Sequence, residues 1–198
     1  TGGAVRLTGS GMGCPTWPEC VPGSYLPVEG QAEGALHAWI EFGNRLLTFA
    51  LFFAAVATLI AVVRSGRRDL RFLAAIQILG ILAQGVLGGI TVLTHLNPLS
   101  VASHLLLSII LIAAATSLHS RRHHPQVRTS STQVRISRLS IAHIVVAFIA
   151  IAIGALVTGS GPHAGDVDAP RLDFDISTIT RLHSSSVWTL LIITFIFY

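Results

Sequence analysis

The sequence predicts an all-α membrane protein, a bundle of transmembrane helices. Of its 198 residues, 52% are hydrophobic and only 11% are charged, and the mean hydropathy is +0.69. A soluble domain has too little interior to bury that much apolar surface. All 13 basic residues are arginines that cluster between apolar segments. The net charge of +4 therefore does not indicate a nucleic-acid partner.

Five segments are long enough to cross the hydrocarbon core, which takes about 20 apolar residues per helix. They cover residues 36–63, 72–94, 100–118 and 139–158, and a fifth begins near Ser177 and reaches the end of the chain. The chain starts without a methionine and stops inside an apolar stretch. We therefore expect a five-helix fragment of a longer protein.

Charges in the connecting loops predict the orientation, because cytoplasmic loops carry an excess of lysine and arginine. Residues 64–71 hold four arginines and one acid, and residues 119–138 hold five arginines and no acid. The other connections, 1–35, 95–99 and 159–176, hold seven of the nine acids and only two arginines. We expect the arginine-rich loops in the cytoplasm and the other three outside.

Cys14 and Cys20 lie in the first of these predicted outer regions, six residues apart with two prolines between them. Disulfides persist on the oxidising side of a membrane, and the bend at the prolines lets the two cysteines approach disulfide geometry. A disulfide is the favoured interpretation. Two free thiols or half of a metal site are the alternatives.

Glu41, Asn44, Arg45 and Thr48 form a polar stripe along one face of the first predicted span, with the spacing i, i+3, i+4 and i+7. A charge near the centre of a transmembrane helix costs at least about 2.5–3.5 kcal/mol, so it often marks a function or a partner. Glu41 and Arg45 can form an i,i+4 ion pair. A structural pair and a functional carboxylate are both compatible with this pattern.

His104 in the third span and His183 in the fifth lie at a depth similar to that of the stripe. At 1.5 Å per residue, all these polar groups come roughly 7–13 Å below the outer surface. Imidazole is a common axial ligand of haem iron, and a helical bundle with inward histidines can enclose a haem. Haem ligation and hydrogen-bonded packing are the two interpretations of each histidine.

The second span carries Gln77, Gln84 and Thr91 at seven-residue intervals. Their shared face suits packing first and the wall of a ligand site second. Gly85 and Gly89 form a small-xxx-small pair, which predicts the close approach of another helix.

The tetrapeptide T-G-S-G occurs at 8–11 and again at 158–161, each time at a predicted outer boundary. A polar loop and then a helix with polar residues in its first turns follow each copy. Because membrane folds are often built by duplication, two similar helical halves are suggested.

Several motifs, in this order, resemble those of bacterial haem A synthase: GGAVRLTGSGMGCPTWPEC, IEFGNR, QGVLGGITVL, SHLLLS, VTGSGPHAGD and LH. The resemblance covers essentially the whole chain. It implies a fold of eight transmembrane helices in two similar four-helix bundles, so this fragment would lack most of the first helix and the last two. Residues 1–35 would then be an outer loop with the cysteine pair, 36–118 the substrate-haem half, 119–138 a cytoplasmic loop, and 139–198 the start of the cofactor-haem half.

The resemblance also implies an activity, in the bacterial plasma membrane. Such an enzyme oxidises a methyl group of haem o, its substrate, to the formyl group of haem a for terminal oxidases, and holds haem b as its cofactor. Expected partners are membrane lipid, the farnesyltransferase that makes haem o, and an electron acceptor of unknown identity. A homo-oligomer is also compatible with the resemblance.

Four residue assignments follow from the same resemblance. Glu41 matches the family's catalytic glutamate, and His104 matches the axial histidine of the substrate bundle. His183 matches the first of two histidines around haem b. Cys14 and Cys20 match a disulfide that supports haem handling or transfer.

One position departs from the family motif, which has histidine where this chain has Asn44. An amide is a poor iron ligand compared with imidazole. The substrate iron would then be bound by His104, with its opposite face open, aqua-ligated or bound by another group. Arg45, next to Asn44, would steady the Glu41 carboxylate or reach a haem propionate, since arginine forms bidentate carboxylate contacts.

Two other functions fit the polar layer. A dihaem cytochrome b-type electron carrier needs His104 and His183 but has no use for Glu41. A transporter or an assembly scaffold would use the same polar groups without iron.

Overall fold

The computed structural model describes residues 2–122, 138–162 and 165–197. They form six α-helices: α1 Gly2–Thr8, α2 Ala35–Arg64, α3 Arg68–Leu93, α4 Pro98–Arg121, α5 Arg138–Ser160 and α6 Ile176–Phe197. Among these residues the extended structure is limited to one isolated bridge between Val21 and Ser24. The predicted all-α fold class is confirmed.

The helices α2 to α6 are long and apolar enough to cross a membrane. Each of them overlaps one of the five predicted spans. Most side chains in these helices are not buried within the chain; Phe72, for example, is 73% exposed and Phe195 is 86% exposed. Outward-facing apolar side chains of this kind suit a lipid environment, where they need no protein neighbour.

Residues 2–8 differ from the loop expected for 1–35, because they form the short helix α1, which packs against α2. The helix ends at Thr8, whose hydroxyl donates to the Ala4 carbonyl at 2.8 Å. Gly9 follows with a φ of +67°, a conformation that glycine adopts without strain. A helix of seven residues is too short to give the signal of a membrane span.

The long helices pack in chain order, each against the next. Gly80 of α3 lies so close to α4 that a Cβ there would be 2.1 Å from Cδ2 of Leu111. Gln77 Nε2 donates to the Leu111 carbonyl at 3.4 Å, and Gln84 Nε2 donates to the His104 carbonyl at 3.0 Å. The glutamine face of α3 therefore packs on α4, as expected first, and its Gln84 and Thr91 also line a cavity, which was the second expectation. Within the described residues no Cα atom of α2 lies within 8 Å of a Cα atom of α4, and both helices pack on α3, which lies between them.

One end of the bundle, here called the arginine end, contains the α2–α3 connection and the end of α4. A small apolar core lies there, formed by Val62, Leu70, Ala74 and Leu118. Arg67 donates to the Arg121 carbonyl at 3.0 Å and forms a 2.9 Å ion pair with Asp69. Most of the arginine-rich segment predicted at 119–138, namely 123–137, lies outside the described residues.

The opposite end, here called the cysteine end, contains the connections before α2, between α3 and α4, and between α5 and α6. The N–H of Gly11 donates to the Gly165 carbonyl at 2.8 Å. Leu96, only 6% exposed, lies against both glycines. These contacts join all three connections into one layer over the helix ends.

The start of α6 is fixed by Asp175 at this end. Its carboxylate accepts hydrogen bonds from the Ser177 hydroxyl at 2.7 Å and the Thr178 N–H at 2.8 Å. Hydrogen bonds from Thr178 and Ser177 favour the ionised form and lower the pKa of Asp175 from 3.8 to about 2. The carboxylate therefore stabilises the fold above pH 3.8, and this contribution is lost as the pH falls toward 2.

Both T-G-S-G segments end a helix at the cysteine end. The first follows α1, which packs on α2, and the second ends α5, which packs on α6. Ser10 and Ser160, at the same position of each segment, are buried. The two helix pairs thus share a local arrangement, which is consistent with the predicted duplication.

Candidate active site

A cavity of about 1150 Å³ separates α2 from α4. Residues of α2, α3 and α4 form most of its wall, and α1, α5 and the cysteine end complete it. Its lining is mainly apolar, with a small set of polar groups that includes Glu41, Asn44, Thr48, Gln84, Thr91, His104 and Ser108. A large apolar cavity with few polar groups is typical of a site for a bulky organic ligand.

Four of the predicted site residues line this cavity together. Glu41, Asn44 and Arg45 come from α2, and His104 comes from α4. His183 is not among the lining residues and instead lies between α6 and α5. The polar groups that were predicted to share one layer therefore lie in two places, the cavity and the contact between α5 and α6.

Glu41 is 5% exposed and uses both carboxylate oxygens. Oε2 accepts the backbone N–H of Cys14 at 2.7 Å, and Oε1 accepts Nη2 of Arg45 at 2.7 Å. A buried carboxylate needs such partners, because burying an unpaired charge is very costly. Glu41 therefore joins α2 to residues 10–24, here called the cysteine loop.

Arg45 strengthens this junction through backbone carbonyls of the cysteine loop. Its Nη2 donates to Cys14 at 2.7 Å and to Thr16 at 2.9 Å. Its Nη1 donates to Glu19 at 3.0 Å and to Pro18 at 3.4 Å. Because the loop and Glu41 occupy the guanidinium, the geometry favours a role in steadying the carboxylate over contact with a propionate.

Cys14 and Cys20 form a disulfide with an S–S distance of 2.03 Å, and both are 0% exposed. The predicted bond is confirmed, and the free-thiol and metal-site alternatives are excluded. Gly13 brings the loop against the backbone of α2, because a Cβ there would be 2.3 Å from the carbonyl oxygen of His37. A side chain at this position would push the loop off the helix.

Trp17 of the cysteine loop closes the cavity against α3. A Cβ on Gly89 would lie 2.5 Å from Cδ2 of the indole ring, whereas a Cβ on Gly85 would meet open space. The Gly85–Gly89 pair was expected to receive a helix, and this expectation is wrong. Small residues permit a close approach, but here the approaching group is a side chain from a distant loop.

Gly89→Ala is expected to lower the free energy of unfolding by about 1–3 kcal/mol, because the added methyl must displace the Trp17 ring. The matched control is Gly85→Ala, which adds a methyl to open space on the same helix and is expected to be neutral or stabilising by about 0.5–1 kcal/mol. Thermal unfolding of both variants in detergent measures the difference. Equal stability of the two variants would contradict the packing of Trp17 on Gly89.

His104 is half-buried on the α4 side of the cavity. Its backbone carbonyl accepts hydrogen bonds from Gln84 Nε2 at 3.0 Å and Ser108 Oγ at 2.9 Å. Its Nδ1 is buried and has no hydrogen-bond partner among the described residues. A buried polar atom without a partner needs an explanation, and a redox or catalytic role is one of those known. The backbone of His104 is therefore held firmly, while no hydrogen bond to a described residue holds its ring.

His183 is held differently, with Nδ1 3.1 Å from the carbonyl oxygen of Ala150 on α5. A carbonyl can only accept, so Nδ1 carries the hydrogen and the lone pair is on Nε2. Gly154 makes room for the ring, since a Cβ there would lie 2.9 Å from Cε1. Metal-ligating histidines are typically oriented by this kind of hydrogen bond.

The described residues contain no group of three or more histidine, cysteine, aspartate or glutamate side chains that could hold a metal ion. Haem iron brings its equatorial ligands with the porphyrin and needs only axial ones from the protein. Single imidazoles at His104 and His183 are therefore compatible with axial ligation of a haem.

The fold and the cavity define a multi-pass membrane protein whose helices enclose a carboxylate, an amide and an imidazole in one large cavity. A family model, COX15-CtaA, described as a cytochrome oxidase assembly protein, matches residues 1–166. The chain belongs to this family.

The chain is also similar to proteins named "Heme A synthase". It is 34% identical over 99 residues to those of Geobacillus kaustophilus strain HTA426 and Geobacillus thermodenitrificans, in matches covering 49% of this chain and 29% of each relative. The protein from Shewanella oneidensis is 28% identical over 177 residues, covering 80% of this chain and 50% of the relative. The matches thus span half or less of the length of these relatives. No solved structure matches the chain.

Proposed function

We propose that the protein is a haem A synthase, a membrane oxidoreductase that converts the methyl group of haem o to the formyl group of haem a for terminal oxidases. One observation carries the proposal: a buried carboxylate, Glu41, and an uncommitted imidazole, His104, line the same large apolar cavity. Membership of the cytochrome oxidase assembly family and similarity to relatives named "Heme A synthase" support it.

In this proposal haem o is the substrate that occupies the cavity, with its iron on His104. The lining suits a haem, because aromatic side chains pack well on flat apolar rings. The aromatic residues of the lining are Trp17, Phe49, Phe52 and Phe53. The open space at Gly85 adds room for the macrocycle.

Glu41 is the proposed catalytic residue. A carboxylate next to the methyl group can stabilise developing positive charge or accept a proton as that group is oxidised. The Cys14 N–H and Arg45 hold both carboxylate oxygens at 2.7 Å, so Glu41 enters the reaction with its orientation already set. Preorganisation of this kind lowers the cost of stabilising charge.

Haem b is the proposed cofactor, and it would relay electrons from the substrate toward an acceptor. His183 would provide one of its axial ligands. Outer-shell hydrogen bonds raise metal affinity, and losing one typically costs about 10–100-fold. His183 has such a bond to Ala150, and His104 has none at Nδ1. This difference suits a resident haem at His183 and an exchangeable one at His104.

The proposed location is a bacterial plasma membrane, with the cysteine end outside and the arginine end in the cytoplasm. The arginine excess at one end and the disulfide at the other favour this orientation. Membrane lipid would surround the five long helices, and the farnesyltransferase that makes haem o would supply the substrate.

Extraction of the bound pigments tests the proposal. The purified protein should yield haem b together with haem o or haem a when its extract is separated by reversed-phase chromatography. Haem b alone would favour a dihaem cytochrome b-type carrier instead. Absence of a Soret band would favour a transporter or an assembly scaffold, and either result would overturn the proposed function.

A further inference from the structure

The cavity provides only one strong ligand for haem iron among the described residues. His104 is the single histidine in its lining, which contains no cysteine, methionine or tyrosine. These four residue types are the usual axial ligands of haem iron. The carboxylate of Glu41 is already occupied by Arg45 and the Cys14 N–H. A second protein ligand is therefore missing from the described wall.

The wall provided by α2 has an amide where a second ligand would be needed. Asn44 of α2 and His104 of α4 line the same cavity, and no Cα atoms of these two helices lie within 8 Å of each other in the described part of the chain. The Asn44 side chain is half-buried and has no hydrogen bond to any described residue. Its amide therefore has both N–H donors and its carbonyl oxygen available to a ligand.

We infer that a haem in this cavity is bound by His104 alone, and that its opposite face, on the Asn44 side, is a binding site for a small neutral ligand. Water and carbon monoxide belong to this class. Hydrogen-bond donors and steric access beside the open face of a haem decide which ligands it accepts, and the Asn44 amide is the donor in this position. The inference rests on the proposed function, because it requires haem in the cavity.

The test uses the whole chain in detergent, loaded with hemin, with carbon monoxide as the small ligand. The measurements are made in His183→Ala, which removes the second proposed haem ligand. They are repeated on the unmodified protein, so that a result caused by misfolding of His183→Ala is recognised. The ferric protein is expected to be high-spin. The ferrous protein is expected to bind carbon monoxide, with a shift of the Soret band.

Substitutions at Asn44 separate coordination from hydrogen bonding. Asn44→His should make the haem six-coordinate and low-spin, and carbon monoxide binding should be lost or strongly weakened. Asn44→Leu should still bind carbon monoxide, but the infrared C–O stretch should shift because the donor is gone. Thr58→Val, further along α2, exposed and outside the cavity lining, is the matched control and should leave the C–O stretch unchanged.

The outcomes distinguish this inference from the proposed function. If the chain does not take up hemin, both fail. If hemin binds but the wild-type site is low-spin and refuses carbon monoxide, only the inference fails. His163 lies outside the described residues, so His163→Ala is measured as well; conversion of a low-spin site to a high-spin one by this substitution would identify His163 as the second ligand and overturn the inference.

Discussion

Glu41→Gln is expected to stop the formation of haem a while haem binding continues. The substitution keeps the volume of the side chain and removes the charge that the proposal assigns to catalysis. Loss of a positioned acid–base group typically lowers a rate by about 10²–10⁴-fold. His104 and His183, the proposed haem ligands, are unchanged, so the Soret absorbance should remain. Haem analysis of cells that make haem o measures the product. Glu41→Ala should give the same loss.

The control for Glu41→Gln is Glu19→Gln, in the cysteine loop that Glu41 contacts. Glu19 Oε2 accepts the Gly23 N–H at 2.9 Å and does not line the cavity. This variant should make haem a normally. Undiminished haem a in Glu41→Gln would refute the catalytic role of Glu41, and loss of the Soret band in that variant would assign the carboxylate to structure instead.

Arg45→Ala is expected to destabilise the protein by about 3–5 kcal/mol, because it leaves a buried carboxylate without its cation. It also removes four hydrogen bonds to carbonyls of the cysteine loop. The loop should therefore open more often and expose the disulfide, whose cysteines are 0% exposed in the folded structure. Reaction with a water-soluble phosphine, followed by thiol labelling, measures how fast the disulfide becomes accessible.

The matched control is Arg71→Ala, since Arg71 is exposed on α3 at the arginine end and has no hydrogen bond within the described residues. Its disulfide should react as slowly as that of the unmodified protein. An unchanged reaction rate in Arg45→Ala would show that the disulfide loop is held by its other contacts, such as those of Gly13 and Trp17.

The sequence predicted those parts of the fold that depend on local signals. Long apolar runs predicted all five spans, because a helix in lipid satisfies its polar backbone groups with its own hydrogen bonds. The Glu41–Arg45 pair followed from their i,i+4 spacing. The disulfide followed from two nearby cysteines in a predicted outer loop.

The other contacts of the site depend on the path of the cysteine loop. No hydrophobic periodicity in the sequence predicts that path. Arg45 binds carbonyls 26 to 31 residues earlier in the chain, and Trp17 packs on Gly89. Residue counts predicted a depth for each polar group, but they did not predict the neighbour that each helix faces. For this reason His104 and His183 share a predicted depth and still lie in different surroundings.

The separation of α2 from α4 has a further consequence for ligand selection. Among the described residues α2 and α4 both pack on α3, and Gly85 and Gly88 of α3 line the cavity, where a larger side chain would take up space. Bulkier side chains at those two positions would exclude broad macrocycles without altering Glu41. The residues that would select a ligand by its shape thus lie on α3, whereas Glu41 lies on α2. The residues on α3 can therefore change in sequence while Glu41 is kept.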